Sequence, residues 1–260
     1  MPLTVDACAA THQGDRKEQQ DRVAILAHPR YPGMAIAVVA DGMGGHTGGA
    51  LAAEQVIHTA RTSLDAFFPA EESAQGMLEN SMREAHTLIK ASRFMNEKEP
   101  HSTAVMLLMQ PEAFTWGHCG DSRLYRFRGA DLLERTVDHS FVEHLLAIGK
   151  IRPEQLATHP GRNVLMTSLG GQDDPRFDFA EARDLQAGDN FLLCSDGVWA
   201  YFDEAEMGQL LAENTARDAC QQIITLARER AEGGGDNLSL VVVRLLEMEK
   251  PKAKPVFSFQ

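Results

Sequence analysis

The chain has 260 residues, 43% hydrophobic and 24% charged, a size and balance that suit one soluble domain with a single large core. Lys and Arg number 25 against 37 Asp and Glu, for a formal net charge of -12. Such a surface repels nucleic-acid phosphates and anionic lipid, which excludes non-specific binding to either.

The four cysteines, Cys8, Cys119, Cys194 and Cys220, show no CxxC spacing, so neither a zinc site nor a thioredoxin-like motif is indicated. They read as buried reduced thiols. The first ten residues lack a basic region and carry Asp6, so no signal peptide is expected. No apolar run approaches the length of a membrane span, and a cytoplasmic location is expected.

In chain order, residues 35–40 are a short apolar run that reads as a buried strand. Residues 49–64 place Leu51, Ala52, Val56, Ile57 and Ala60 on one face of a helix. Residues 74–97 do the same with Met77, Leu78, Met82, Ala85, Leu88 and Ile89. Residues 103–108 form a second buried strand. Residues 114–116 and 124–128 read as the arms of a hairpin whose turn is Gly117-His118-Cys119-Gly120-Asp121-Ser122.

Residues 138–181 are a poor candidate for sheet core and read as an insertion over the edge of a site. Within them, 141–148 form a short helix stopped by Gly149, and Pro153 starts another. Strands follow at 190–194 and 238–245, separated by a helix over 205–230 that carries Leu210, Leu211, Ala219, Ile223, Ile224 and Ala227. The folded domain is expected to span 1–249. The basic, Pro-rich tail, 250–260, is expected to be disordered. Hairpins mixed with helices favour an α+β fold with antiparallel sheets over a doubly wound parallel sheet.

One pattern recurs along the chain: an apolar strand meets an Asp flanked by Gly. It occurs at Asp41-Gly42, Gly120-Asp121, Asp196-Gly197 and Gly235-Asp236. Asp-Gly is also a common turn pair, and any one of these alone reads as a turn. Four of them, each against a hydrophobic strand, point instead to carboxylates converging at sheet edges. Glycine lets backbone approach a ligand closely and frees a carbonyl to coordinate. Converging carboxylates repel unless a cation sits between them, and oxygen-only ligation selects magnesium or manganese. Two such ions can acidify a bridging water to a hydroxide nucleophile. Arg16, in Gly14-Asp15-Arg16, offers a planar fork for a phosphate, although taken alone it would be a surface charge.

The order Gly14-x-Arg16-x-x-x-Gln20-Asp21, Asp41-Gly42-Met43-Gly44-Gly45-His46, His101-Ser102-Thr103-Ala104, Gly120-Asp121-Ser122-Arg123, Ser195-Asp196-Gly197 and Gly235-Asp236-Asn237 resembles the metal-dependent protein phosphatases of type 2C. The Asp-Gly-Met-Gly-Gly-His form, Asp138-His139-Ser140 and Arg162-Asn163-Val164-Leu165 are similar to its bacterial branch. The likeness covers roughly residues 4 to 245, and six motifs in order are far more specific than any one.

The resemblance implies a four-layer αββα sandwich of two antiparallel sheets flanked by helix pairs, with metals at one edge. It implies hydrolysis of phosphoserine and phosphothreonine by a water or hydroxide bridging two Mn2+ or Mg2+ ions. Asp41 would bridge the ions, the Gly42 carbonyl would bind one, and Asp196 and Asp236 the other. Arg16 would hold the phosphate and Asp21 would orient the attacking water. Asp121 with Asp196 resembles a third-metal site, and 138–181 resembles a mobile flap. Phosphorylated Ser/Thr proteins and an opposing kinase would be its partners, with no nucleic acid or membrane, and the chain would act as a monomer.

Three positions depart from the family pattern. Gln20 replaces a common acidic residue, removing one charge near the metals. Ala50 replaces a common Glu, with little expected consequence. Met43 stands where some members carry a histidine acid, which leaves His46 as a candidate proton donor or a structural residue at the helix start. His118 and His139 are expected to be structural or to support the site indirectly. A catalytically weak phosphoprotein-binding regulator of the same fold is the alternative, but it would be expected to lose a metal aspartate, and Asp41, Asp196 and Asp236 are all present. A metal-dependent nuclease is disfavoured by the negative charge and the lack of a basic groove.

Overall fold

Two five-stranded antiparallel sheets carry the molecule in a computed structural model that describes residues 3–44, 47–93, 99–156 and 158–248. The first sheet runs in the order β1 (Leu3–His12), β12 (Leu238–Glu247), β11 (Asp189–Cys194), β8 (Arg123–Arg128), β9 (Asp131–Arg135). The second runs β10 (Asp178–Ala182), β7 (Phe114–Cys119), β6 (Ala104–Met109), β3 (Ala35–Ala40), β2 (Arg22–Ala27). A two-residue pair, β4 (Gly42–Met43) with β5 (His101–Ser102), extends beyond the end of β3. The tail and His46 lie outside the described residues.

Strand alternation explains the layers. On β3, Ala37 and Val39 face the other sheet, where they meet Leu193, Val241 and Val243 in a core between the sheets. Ile36, Val38 and Ala40 face outward and are covered by α1 (Thr47–Ala66) and α2 (Ala74–Ser92) through Val56, Leu64, Met77 and Met82. On the far side, Leu192, Leu240 and Val242 are covered by α5 (Glu204–Glu213) and α6 (Ala216–Arg230) through Met207, Leu211 and Ile223. The central strands are therefore buried on both faces, which is why they read as unbroken apolar runs. Truncating one of these fully buried aliphatic side chains to Ala costs about 2–5 kcal/mol. The expected αββα sandwich is what forms.

Several local expectations change. Residues 114–128 are not a hairpin, because β7 belongs to the second sheet and β8 to the first. The chain crosses between sheets at Gly120-Asp121-Ser122, where Gly120 takes φ +102. The long helix over 205–230 is two helices. Asn214 is extended, and the Thr215 side chain caps α6 by accepting from the Asp218 N–H. Leu51 and Leu88 do not join the buried stripes and are 57% and 40% exposed. α2 ends at Ser92, short of the expected 97, and residues 94–98 lie outside the described residues. α3 (Phe141–Ala147) forms as expected, and Gly149 follows it at φ +68. Pro153 begins only a single 3-10 turn, Pro153–Gln155. Residues 178–181 belong to edge strand β10 rather than to an insertion. Among the described residues no helix is long and apolar enough to cross a membrane. All four cysteines are free thiols, with Cys8 half-buried and the others buried.

Candidate active site

Four strand ends and one loop bring Asp21, Asp41, Asp121, Asp196 and Asp236 to one edge of the sandwich. Asp21 precedes β2, Asp41 follows β3, Asp121 lies on the sheet-to-sheet crossover, Asp196 follows β11 and opens the short helix α4 (Asp196–Trp199), and Asp236 precedes β12. Strands rather than loops set the spacing, because β2 pairs with β3 while β11 pairs with β8 and β12.

Asp41 is anchored by its backbone. Its N–H donates to Thr103 Oγ1 (3.1 Å), and its carbonyl accepts from the Thr103 N–H (2.9 Å) and Ser102 Oγ (3.1 Å). Thr103 Oγ1 in turn meets Ser122 Oγ at 2.7 Å, tying β3 to the crossover. Gly42 is forced by close packing, since a Cβ there would lie 2.0 Å from the Gly49 carbonyl of α1. Asp21 is buried and accepts from Ser195 Oγ (2.9 Å).

The carboxyls titrate abnormally. Desolvation, followed by repulsion from Asp21 and Asp196, raises Asp41 well above the usual carboxylate range. Burial and the neighbouring Asp196 push Asp121 up to about 7. Burial and Asp236 push Asp196 to about 6. Burial also raises Asp21 to about 6, against the hydrogen bond from Ser195. The common cause is negative charge gathered out of water with little positive charge to balance it.

Arg16 is at the rim, ion-paired to Asp236 and 61% exposed. Its loop is pinned by a residue that sequence reading left without a role. Asn237 is buried, its Oδ1 accepts from the Gln20 N–H (2.7 Å), and its Nδ2 donates to the carbonyls of Gln13 (2.8 Å) and Glu18 (2.9 Å). Gly14, at φ +65, brings that loop against the next strand entry, and a Cβ on it would fall 1.9 Å from the Asp236 carbonyl oxygen. The only sequence signal for this clasp is Asn237 itself, a buried amide beside a predicted ligand. Ser195, Thr103 and Trp199, whose Nε1 donates to the Asp121 carbonyl at 2.9 Å, were likewise missed as supports. The structure thus gathers Arg16, Asp21, Asp41, Gly42, Asp121, Asp196 and Asp236 at one edge, and His46 lies outside the described residues.

The donor set suits a hard divalent cation. It is oxygen-only, half open to solvent, and carries more negative charge than Arg16 can balance. A second group, His118, His139 and Asp178, brings potential ligand atoms within 4.8 Å of one another. Its nitrogens are largely engaged within the protein. His118 Nε2 donates to the Val137 carbonyl (2.9 Å), His139 Nδ1 accepts from the Gly120 N–H (3.2 Å), and His139 Nε2 donates to Asp178 Oδ2 (3.2 Å). The two rings stack at 4.5 Å with a 22° angle, so their planes do not converge on one point as a shared metal requires. Burial and the facing His118 push His139 down to about 4, keeping it neutral. This group supports the crossover from behind, through the two hydrogen bonds between His139 and Gly120.

Residues 8–226 match the family model of protein phosphatase 2C. The chain is 32% identical over 221 residues to the serine/threonine phosphatase stp of Listeria innocua, covering 83% of this chain and 86% of that protein. It is 31% identical over 234 residues to the serine/threonine protein phosphatase PstP of Mycobacterium tuberculosis, covering 88% of this chain but 44% of that longer protein. Among solved structures, Stp1 from Staphylococcus aureus superposes with a TM-score of 0.84 at 28% identity, covering 93% of this chain and 95% of that one. The PstP catalytic domain in complex with two manganese ions superposes with a TM-score of 0.77 at 30% identity, covering 94% and 100%.

Proposed function

The chain belongs to the protein phosphatase 2C family, and on that premise we propose that it is a metal-dependent serine/threonine protein phosphatase. The observation that carries this reading is the set of converging carboxylates with raised pKa values and a single arginine at their rim. Manganese or magnesium would be held by Asp41, the Gly42 carbonyl, Asp196 and Asp236, with a weaker third ion between Asp121 and Asp196. When bound, the ions supply charge neutralisation and an acidified water.

The remaining work falls to side chains of the protein. Arg16 leaves Asp236 to hold two phosphate oxygens through its planar fork. Asp21, oriented by Ser195, accepts a hydrogen bond from the attacking water and aligns it. Cys119, Cys194 and Cys220 are not nucleophiles, since burial pushes the Cys119 thiol up to about 12 and raises Cys194 and Cys220 as well. Residues 138–177 border the site as a flap. His46 remains the candidate proton donor to the leaving oxygen. The substrates are phosphorylated Ser/Thr proteins, opposed by the kinase that makes them, and the enzyme acts as a cytoplasmic monomer.

Hydrolysis of a phosphothreonine peptide tests this. Activity is expected to need manganese or magnesium, to vanish in excess chelator, and to survive thiol alkylation. Full turnover in chelator, or a trapped phosphocysteine, would refute it.

A further inference from the structure

The crossover that carries Asp121 is gripped from two sides. On one, the Gly120 N–H donates to His139 Nδ1 (3.2 Å) and the Gly120 carbonyl accepts from the His139 N–H (2.9 Å). On the other, the Asp121 carbonyl accepts from Trp199 Nε1 (2.9 Å). Trp199 ends α4, the helix that Asp196 begins, so one four-residue element touches both carboxylate positions.

The indole is itself loaded. The Arg123 guanidinium lies 3.6 Å from the Trp199 ring centroid and makes two hydrogen bonds of 2.7 Å to the carboxylate of Asp138. Both members of that ion pair are nearly buried, with side-chain exposures of 14% and 6%. A planar cation stacked on Trp and held bidentately is a strong, geometrically specific contact. Asp138 also cancels the charge of Arg123, so Arg123 is not free to neutralise the Asp121 carboxylate nearby.

We propose that Trp199, backed by Arg123 and Asp138, is a positioning residue: it sets where the Asp121 carboxylate stands relative to Asp196 and thereby tunes a weak third-cation site between them. This rests on the reading that Asp121 and Asp196 hold such a cation. The contacts reach the site through the Asp121 backbone and leave its carboxylate to the ion. They also make the first residue of the flap a determinant of the same site. A carboxylate on a glycine-led turn loses its orientation when the carbonyl that anchors the turn is released.

The test is calorimetric titration of the full chain with manganese, beside steady-state kinetics on a phosphothreonine peptide. Trp199→Phe removes the N–H donor and keeps a ring under Arg123, and should weaken the weak binding event about fivefold. Asp138→Asn releases the Arg123 charge towards Asp121 and should weaken it about tenfold, more so at low salt. In both, the two tight events and the peptide KM should hold, kcat should fall, and excess manganese should restore kcat. Asp121→Ala should lose the weak event with no rescue.

A weak event unchanged in Trp199→Phe and Asp138→Asn but lost in Asp121→Ala overturns the positioning role. A weak event that persists in Asp121→Ala overturns the third-cation reading instead. If Trp199→Phe does not fold, the near-isosteric Asp138→Asn decides. Loss of the tight events there would mark the group as general scaffold and overturn the proposal.

Discussion

The two ends of β11 each carry a carboxylate set into the protein, and they are treated oppositely. At one end Asp189 is fully buried and bonded to two arginines, with Oδ1 2.6 Å from Arg128 Nε and Oδ2 3.2 Å from Arg126 Nη2. Arg126, itself 3% exposed, also reaches Glu134 (3.0 Å) and Asp184 (2.7 Å). At the other end Asp196 faces Asp41, Asp121 and Asp236, with Arg16 at the rim and Arg123 committed to Asp138. β8 runs antiparallel to β11 and supplies the arginines at the balanced end and Arg123 at the other. Burying a charge without a partner is costly, so a fold that balances one end and leaves the other unbalanced reserves the second for an outside cation. Buried acid alone is therefore not the mark of the site. Missing countercharge is.

The sharpest way to break this comparison is at Asp41. Asp41→Asn should lower kcat/KM on the order of 10^3-fold, with no rescue by excess manganese. The same change should raise the melting temperature in chelator, because it removes one of several repelling charges. A residue needed for turnover whose loss stabilises the metal-free protein would be the signature of an unbalanced cluster, and a destabilised Asp41→Asn in chelator would contradict it.

At the balanced end the expectation inverts. Asp189→Ala removes the fully buried carboxylate that pairs with Arg126, leaving it only the more exposed Glu134 and Asp184, and should cost about 3 kcal/mol, on the order of 10 °C in melting temperature, equally with and without manganese. Activity per folded molecule should stay within about twofold of the parent. A loss that manganese repairs would place Asp189 in the wrong category.

The pH dependence of metal-free stability sharpens the contrast further. Asp21, Asp121 and Asp196 stand at about 6, 7 and 6 in the folded chain against a usual 3.8. Between those limits the folded state holds more protons than the unfolded state, so stability must fall as pH rises from about 4 through about 7. In chelator the melting temperature should accordingly be higher at pH 5 than at pH 8. Manganese should reverse the order, because it competes with those protons. A flat profile in chelator would mean the cluster is better solvated than its geometry implies.

What the sequence revealed follows the same physics. The four central strands it disclosed, β3, β6, β11 and β12, are buried on both faces and so read as apolar runs. In the two large sheets the strands it passed over, β1, β2, β9 and β10, are the four edges, where half-exposed residues break the pattern. Residues 114–116 and 124–128 read as a hairpin because two nearby β runs joined by a glycine-containing turn look alike whether they pair or separate. Only the sheets into which β7 and β8 insert decide it. The aspartates were legible because glycine and a strand end mark each one. Their supports were not, because Asn237, Trp199 and Ser195 act through contacts far apart in sequence that no local pattern encodes.

The smallest expected effect concerns Arg16, at the rim of the unbalanced end. The Arg16–Asp236 pair is exposed, at 61% and 37% of the two side chains, and such pairs contribute about 0–1 kcal/mol to stability. Arg16→Ala should therefore leave the melting temperature nearly unchanged. Its consequences should appear in binding, with opposite signs for two ligands. The peptide KM should rise about tenfold because the phosphate loses a bidentate partner, while kcat moves less. The manganese midpoint should fall, because Arg16 competes with the ion for Asp236. Arg16→Lys separates charge from shape: it should keep much of the competition at Asp236 but recover only part of the KM, since an ammonium group lacks the planar fork. Measuring peptide KM and manganese midpoint together on both variants decides the matter. If KM and midpoint shift in the same direction, Arg16 serves the metals rather than the phosphate, and if neither moves it belongs to the surface.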